Sequence, residues 1–351
     1  MSVAIITGSC GLVGSESSIF FSQKGFDIVG IDNNSRKFFF GKDGDITWVK
    51  SKLKNKIKKY EHFSVDIRNY NSLEKIFKKY KKRISIIIHC AAQPSHDWAK
   101  NKPIIDFEIN AKGTLNLLEL TKKFSPNSPF VFMSTNKVYG DNPNFLPLNE
   151  KNTRWEISKT HKFTNGIDES MSIDNCTHSF FGASKSYADL VVQEYGKNVG
   201  LKTTCFRAGC ITGPNHSGAK LHGFLSYLVK ASIKLKKYSM IGYKGKQVRD
   251  NIHSSDLINC FWEFYKKPTY GEIYNAGGGR FSNCSVLEAL NLVEKISKIN
   301  VKKELIKKNR IGDHIWYISS MKKFKKHFPR WKQRYSTRII IEELVDQFKN
   351  T

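Results

Sequence analysis

Apolar residues recur along the chain in two alternating rhythms. Short apolar segments at 3–6, 26–31, 84–90 and 130–133 and the segment 201–207 read as strands, and the continuous apolar run at 84–90 reads as a buried one. Between them lie segments of mixed polarity at helical spacing, at 15–24, 71–82, 106–123 and 181–199. Gly25 closes the first of these, and residues 62–65 add another strand. Such alternation predicts an α/β fold, a doubly wound and mostly parallel sheet of seven strands with helices on both faces. Past residue 207 the rhythm loosens into a turn-rich stretch at 208–214 and a helix at 224–234. A strand enters a glycine run at 271–279, a helix is expected at 283–297, and a basic tail ends in a helix at 339–348.

The first strand breaks into Gly8-Ser-Cys10-Gly11-Leu12-Val13-Gly14, three glycines spaced three apart at the mouth of a helix. The first permits a tight turn, the second a close approach of amides to a pyrophosphate, and the third close packing of helix on strand. Phosphate then sits on the helix N-terminus, where unpaired N–H groups face it. The second strand closes on Asp32, 18 residues past Gly14, where a carboxylate accepts ribose hydroxyls and repels a 2′-phosphate. NAD is therefore favoured over NADP, with Asn33 beside the acid and Arg36 placed to stack on adenine or, as the lesser alternative, to neutralise such a phosphate. Asp66 and Ile67 follow the third strand, where an adenine amino group is met. Ala91, Ala92 and Gln93 end the fourth strand with small residues that leave room beside a cofactor.

Composition narrows the class. The chain has 351 residues, 40% of them hydrophobic, enough for one large domain or two joined lobes. No run of about 18 apolar residues is present to span a bilayer. The N-terminus enters a strand at once without a signal pattern, so a cytoplasmic protein with no membrane partner is expected. Seven cysteines without a CxxC pair argue for reduced thiols and no metal site. A net charge of +27 invites a nucleic-acid reading, but the lysines are scattered over solvated helix faces without interleaved aromatics. No nucleic-acid partner is expected.

Several strings together resemble the extended short-chain dehydrogenases/reductases, specifically nucleotide-sugar epimerases of the CDP-paratose 2-epimerase (CDP-tyvelose epimerase) group. They are the glycine motif, Asp32-Asn33, Asp66-Ile67, Ala91-Ala92-Gln93-Pro94-Ser95-His96-Asp97, and Ser134-Thr135-Asn136-Lys137-Val138-Tyr139-Gly140. Further on come Gly182-Ala183-Ser184-Lys185, Gly213-Pro214 and Val248-Arg249-Asp250-Asn251-Ile252-His253. The resemblance implies a Rossmann domain mainly in 1–207 and a smaller mixed α/β sugar-nucleotide lobe mainly in 208–351, with segments returning to the sheet. It also implies an isomerase that oxidises a sugar carbon to a ketone with bound NAD and re-reduces it from the other face, here at C2. The alternatives are a 4-epimerase or a 4,6-dehydratase. The dehydratase pattern adds an acid pair after the fifth-strand threonine, which Thr135-Asn136-Lys137 lacks. The partner is a nucleotide-diphosphate sugar, touched by Pro94, Ser95, His96, Asn136, Lys137, Asn215, Lys220, His222 and Arg249. Helices 106–123 and 181–199 pair across a two-fold axis in relatives, which implies a homodimer or homotetramer.

In that family a tyrosine four residues before the lysine takes the hydroxyl proton, and Ser134 and Thr135 occupy the place that holds the sugar oxygen. Counting back four from Lys185 lands on Phe181, which cannot accept a proton. His178, in the loop before the helix, is the first substitute base to consider, then Lys137 or Tyr187. A protein that binds NAD and sugar nucleotide without catalysis is the reading from another class.

Overall fold

The computed structural model describes residues 2–214, 223–307 and 312–350, and they divide into two compact units. The first comprises 1–138, 179–207 and 258–274, the second 139–178, 208–257 and 275–351. Asn215, Lys220 and His222 lie outside the described residues.

The first unit holds the expected seven-stranded sheet. Its strands are β1 (Val3–Thr7), β2 (Asp27–Ile31), β3 (Tyr60–Phe63), β4 (Ile84–His89), β5 (Phe130–Thr135), β6 (Thr203–Ala208) and β7 (Glu272–Ala276). They lie in the order β7-β6-β5-β4-β1-β2-β3. β1 pairs in parallel with both β2 and β4, so strand order reverses at β1 and opens the crevice where doubly wound sheets bind ligands. All five residues of β1 are buried, as continuous apolar strands covered on both faces must be.

The helices of this unit are α1 (Leu12–Gln23), α2 (Ser35–Phe40), α3 (Thr47–Lys56), α4 (Tyr70–Tyr80), α5 (His96–Asn101), α6 (Pro103–Phe107), α7 (Gly113–Phe124) and α8 (Ser179–Lys197). The single helix expected over 106–123 is instead α6, a π-helical turn at Glu108–Lys112, and α7. Pro103 starts α6 at its first position, where its missing N–H costs nothing. The π turn is the wider coil that often accompanies a functional side chain. Leu73, Ile76 and Phe77 of α4 and Leu117, Leu118 and Leu120 of α7 join Phe130 and Phe132 of β5 in one core.

Under β5 and β6 runs a buried polar line. Arg207 on β6 pairs with Asp189 on α8 (Nη2 to Oδ1 2.7 Å, Nε to Oδ2 3.1 Å). Gln193 donates to the same carboxylate at 2.8 Å, and Ser134 donates its hydroxyl there too.

In the second unit, strand Val248–His253 pairs with Cys210–Thr212 and Trp316–Tyr317 in parallel and with Asn283–Ser285 antiparallel. Residues 283–285 are thus strand, where a helix was expected. Ser285 accepts the amide of Glu288 while Glu288 reaches back to the Ser285 amide, a capping box that delays the helix to Val286–Ser297. Helices Phe224–Lys234, Val286–Ser297 and Thr337–Lys349 share a core of Leu225, Leu228, Val293, Ile340, Ile341 and Leu344. Among the described residues no helix is long and apolar enough to cross a membrane. The seven cysteines, all among the described residues, form no disulfide.

Replacing Asp189 by Ala removes the buried carboxylate to which Arg207, Gln193 and Ser134 all donate. A loss of about 3–5 kcal/mol is expected in urea denaturation.

Candidate active site

Four of the parallel strands deliver polar groups at their C-terminal ends. At β1, Gly8 has φ +64, and a Cβ there would lie 2.7 Å from the Ala91 amide nitrogen. A Cβ at Gly14 would lie 2.1 Å from the Gly8 carbonyl oxygen, so only glycine lets α1 pack this closely on the turn. Gly11 caps α1 without any side-chain hydrogen bond, and the amides of Leu12, Val13 and Gly14 form its first turn. Such amides have no intrahelical acceptor and suit a phosphate.

Asp32, at the end of β2, accepts the Cys10 amide at 2.9 Å and the Asn34 amide at 2.8 Å. It therefore pins the glycine turn to β2 and still has lone pairs for ribose hydroxyls. Burial pushes its carboxyl above the usual range, opposed by those two amides. The Cys10 thiol is pushed up to about 12 by burial and by Asp32, so Cys10 serves the turn through its backbone. Asn33 donates to Asp66 at 3.1 Å and accepts the Ser35 amide at 3.1 Å. The Arg36 guanidinium lies 5.1 Å from the Phe40 ring centroid, and its buried Nη2 has no hydrogen-bond partner among the described residues.

Asp66 is gripped by Arg68, which donates Nε to Oδ1 at 3.0 Å and Nη2 to Oδ2 at 2.8 Å. Ile67 is buried in the core and would be 2.6 Å from a Cβ at Gly113. This pair packs the third strand's loop onto α7.

At β4 a chain of buried hydroxyls and one imidazole supports the loop of Ala91 to Ser95. Thr114 donates to the Asn110 carbonyl at 2.6 Å, so it accepts from His89 Nε2 at 2.9 Å. His89 Nδ1 then accepts from Thr7 at 2.7 Å, and Thr7 Oγ1 accepts the Ala91 amide at 3.2 Å. His89 is fully buried, and burial together with Lys185 holds its pKa well below the ordinary imidazole value. Gln93 gives its amide to Asn110 Oδ1 at 2.9 Å, and its own Oε1 is buried with no partner among the described residues. Ser95 caps α5 by accepting the Trp98 amide at 3.3 Å.

Along α8, Phe181 and Lys185 share one face and both are buried. Lys185 Nζ donates to the Met133 carbonyl at 2.6 Å and lies 4.1 Å from the Phe132 ring centroid. Burial lowers its pKa to about 8, against the pull of Asp189. Ser184 donates to Asp106 Oδ2 at 2.6 Å, and Asn110 donates to Asp106 Oδ1 at 3.1 Å. Burial pushes Asp106 up to about 6, opposed by Ser184 and Lys185.

Successive residues of a strand face opposite ways, and Ser134 and Thr135 divide accordingly. The Ser134 hydroxyl is turned into the Asp189–Arg207 pair. Thr135 is half-buried, accepts the Lys137 amide at 3.2 Å, and precedes buried Asn136.

Of the substitute bases, Tyr187 is two residues from Lys185, on the opposite side of α8, and packs on Phe107 at 5.8 Å between centroids. His178 belongs to the second unit, where both ring nitrogens lie 3.7 Å from Cys176 Sγ. In that unit Arg249 donates Nη2 to Asp313 Oδ1 at 2.5 Å and Nη1 to the Val248 carbonyl at 2.8 Å. Its carboxylate partner is Asp313, not the neighbouring Asp250. Asp250 faces away and accepts the amides of Gly279 at 3.0 Å and Ser319 at 2.9 Å, which makes the glycine run a packing element.

Residues 4–277 match the NAD dependent epimerase/dehydratase family. The chain belongs to that family. As a member of the NAD dependent epimerases it is an enzyme of the isomerase class with NAD as cofactor. It is similar to the CDP-paratose 2-epimerase of Salmonella typhi, 30% identical over 349 residues that cover 97% of this chain and 98% of that protein. Its fold is similar to the UDP-glucuronic acid 4-epimerase of Bacillus cereus, solved with UDP-glucuronic acid and NAD, at TM-score 0.79 and 22% identity over 100% of this chain and 99% of that one. It is also similar to the dTDP-glucose 4,6-dehydratase of Bacillus anthracis, solved with NAD, at TM-score 0.77 and 22% identity over 100% and 97% of the two chains. The residues present fit NAD: Gly14 lets the helix pack on the turn so that its first amides sit at the mouth of the sheet, and Arg36 Nη2 is a buried donor with no acceptor among the described residues.

Sequence reasoning passed over Asp106, Asn110, His89 and Asp189, although each is a polar residue within an apolar face or run. The raised Asp106 pKa has a definite sign in stability. Wild-type protein is penalised wherever Asp106 must ionise in place, from its unfolded value near 3.8 up through about 6. The stability of Asp106→Asn relative to wild type should therefore be greatest at pH 7 and fall steadily toward pH 4, read from urea midpoints across that range.

Proposed function

We propose that the chain epimerises a nucleotide-diphosphate sugar at C2, with NAD held and recycled. The observation that carries this reading is the 30% identity with a CDP-paratose 2-epimerase across essentially the whole of both chains. When bound, NAD supplies a hydride acceptor that later returns the hydride, so there is no net redox change.

The residues divide the remaining work. Amides of Leu12, Val13 and Gly14 hold the pyrophosphate, Asp32 with Asn33 holds the adenosine ribose, and Arg36 faces the adenine end. Asp66 and Ile67 shape the adenine side, while Ala91, Ala92 and Gln93 leave space for the nicotinamide half. Lys185 holds the nicotinamide ribose, and Thr135 with Asn136 and Lys137 binds the sugar oxygens. Pro94, Ser95 and His96 line the sugar. In the second unit Arg249 is assigned to the diphosphate, for which a guanidinium offers paired donors.

Phe181 favours a second reading, binding without turnover. One experiment separates the readings. Mass spectrometry of denatured protein should release NAD that was never added, and NAD-loaded protein should convert CDP-paratose to its 2-epimer. Conversion instead of UDP-glucose to its 4-epimer, or of dTDP-glucose to a 4-keto-6-deoxy sugar, would reassign the chemistry, and bound ligand with no product from any of the three would establish the binding protein.

Self-association is proposed as well, as a homodimer or homotetramer. Ile104 and Phe107 on α6 and Leu190 on α8 are large apolar residues exposed at 75%, 50% and 47%. Phe107 packs on Tyr187 of α8, and a two-fold pairing of helices would cover these apolar side chains. Leu190→Glu should convert the dimer to a monomer in sedimentation velocity without lowering the melting temperature of the monomer unit.

A further inference from the structure

A carbon that gives up a hydride from an alcohol must also lose the hydroxyl proton, and Phe181 has no atom to receive it. The imidazole that packs on Phe181 is His96. The two ring centroids are 4.9 Å apart with planes at 67°, an edge-to-face contact. His96 opens α5 directly beyond the loop that follows β4, a loop fixed by the double hydrogen bond between Gln93 and Asn110. Its ring is therefore held at the C-terminal edge of the sheet, beside the face of α8 that carries Lys185.

A second feature holds the ring in orientation. His96 Nδ1 lies 2.9 Å from Ser179 Oγ. Ser179 has φ +62, a left-handed backbone that is costly for a residue with a Cβ. Its hydroxyl oxygen also accepts the Gly182 amide at 3.3 Å, in the first turn of α8. One strained residue thus closes the start of α8 and anchors the imidazole against Phe181. The direction of the Nδ1–Oγ hydrogen bond follows the ring tautomer, and the ring that donates Nδ1–H to Ser179 is the one whose lone pair lies on Nε2.

We propose that His96 is the proton acceptor of this enzyme, in place of the missing phenol. The proposal rests on the epimerase reading above. His96 Nε2 takes the proton from the sugar hydroxyl as the C–H electron pair leaves that carbon as hydride to NAD, and the C–O single bond becomes a carbonyl. On return, the hydride adds to the opposite face and His96 gives the proton back to the oxygen. Two electrons and one proton leave and return, so no further oxidant or reductant is consumed.

The test uses full-length, NAD-loaded protein with CDP-paratose. His96→Asn should lower kcat by about 10²–10⁴-fold, the usual worth of a positioned general base. Its calorimetric Kd for CDP-paratose should stay within about threefold, less than one net hydrogen bond. Adding Phe181→Tyr to His96→Asn should restore turnover, because the phenol then takes the same proton. A His96→Asn variant as fast as wild type, or one whose loss of rate is matched by its loss of affinity, overturns the proposal. If the unsubstituted chain converts no sugar nucleotide, the epimerase reading itself fails and this assignment falls with it. Nitrogen NMR of unsubstituted, NAD-loaded protein at pH 8 supplies a readout that needs neither turnover nor a variant. The Nδ1–H tautomer of His96 is expected, and the Nε2–H tautomer overturns the assignment.

Discussion

One carboxamide coordinates most of the first unit's site. Asn110 accepts the Gln93 amide and donates to the Gln93 carbonyl at 3.1 Å, so a side chain completes the two-bond pairing that a strand neighbour would otherwise supply. The same Nδ2 reaches Asp106 and lies 3.1 Å from Ser184 Oγ. Three segments thereby share a single planar group: the loop after β4, the π-helical turn and α8. Displacing that group would leave several buried donors and acceptors without partners, each a loss of about 1–3 kcal/mol. Because the loop carries His96 and the helix carries Lys185 and Phe181, their spacing is inherited from Asn110. The π-helical turn is the local irregularity that puts Asn110 at this height on the helix.

What the sequence makes legible is whatever is written in backbone requirements. Gly8 needs a left-handed turn, Gly14 a surface with no Cβ, and β1 a buried apolar run, and each of these leaves a mark in the residue string itself. The alternation of strands and helices was readable for the same reason. Helix ends were less so: Ser285 with Glu288 moves a helix start by three residues, a local competition between strand pairing and capping that hydrophobic period does not register. The polar network was the least legible. Asp106, Asn110 and Ser184 are ordinary helix residues in sequence, and only the fold brings residues 74 or more apart into one hydrogen-bonded set. Ser134 and Thr135 show the opposite hazard, since a shared string position conceals that neighbours on a strand serve opposite faces.

The substitution at 181 also changes what a buried lysine requires. A phenol at that place would share its proton field with Lys185, whereas Phe181 offers only a surface of carbon. Lys185 is instead met by the Met133 carbonyl and the Phe132 ring face, neither of which carries charge. Asp189 is the charge that acts on it most strongly and is shared with Arg207, and Asp106 attracts it more weakly. Burial moves these two groups toward each other, Asp106 up to about 6 and Lys185 down to about 8. Both are charged only between those values. Below the window Lys185 is a buried cation facing a neutral acid, and above it Asp106 is a buried anion facing a neutral amine. The two groups therefore compensate one another near neutrality, with Asp189 and Arg207 as a second balanced pair beside them.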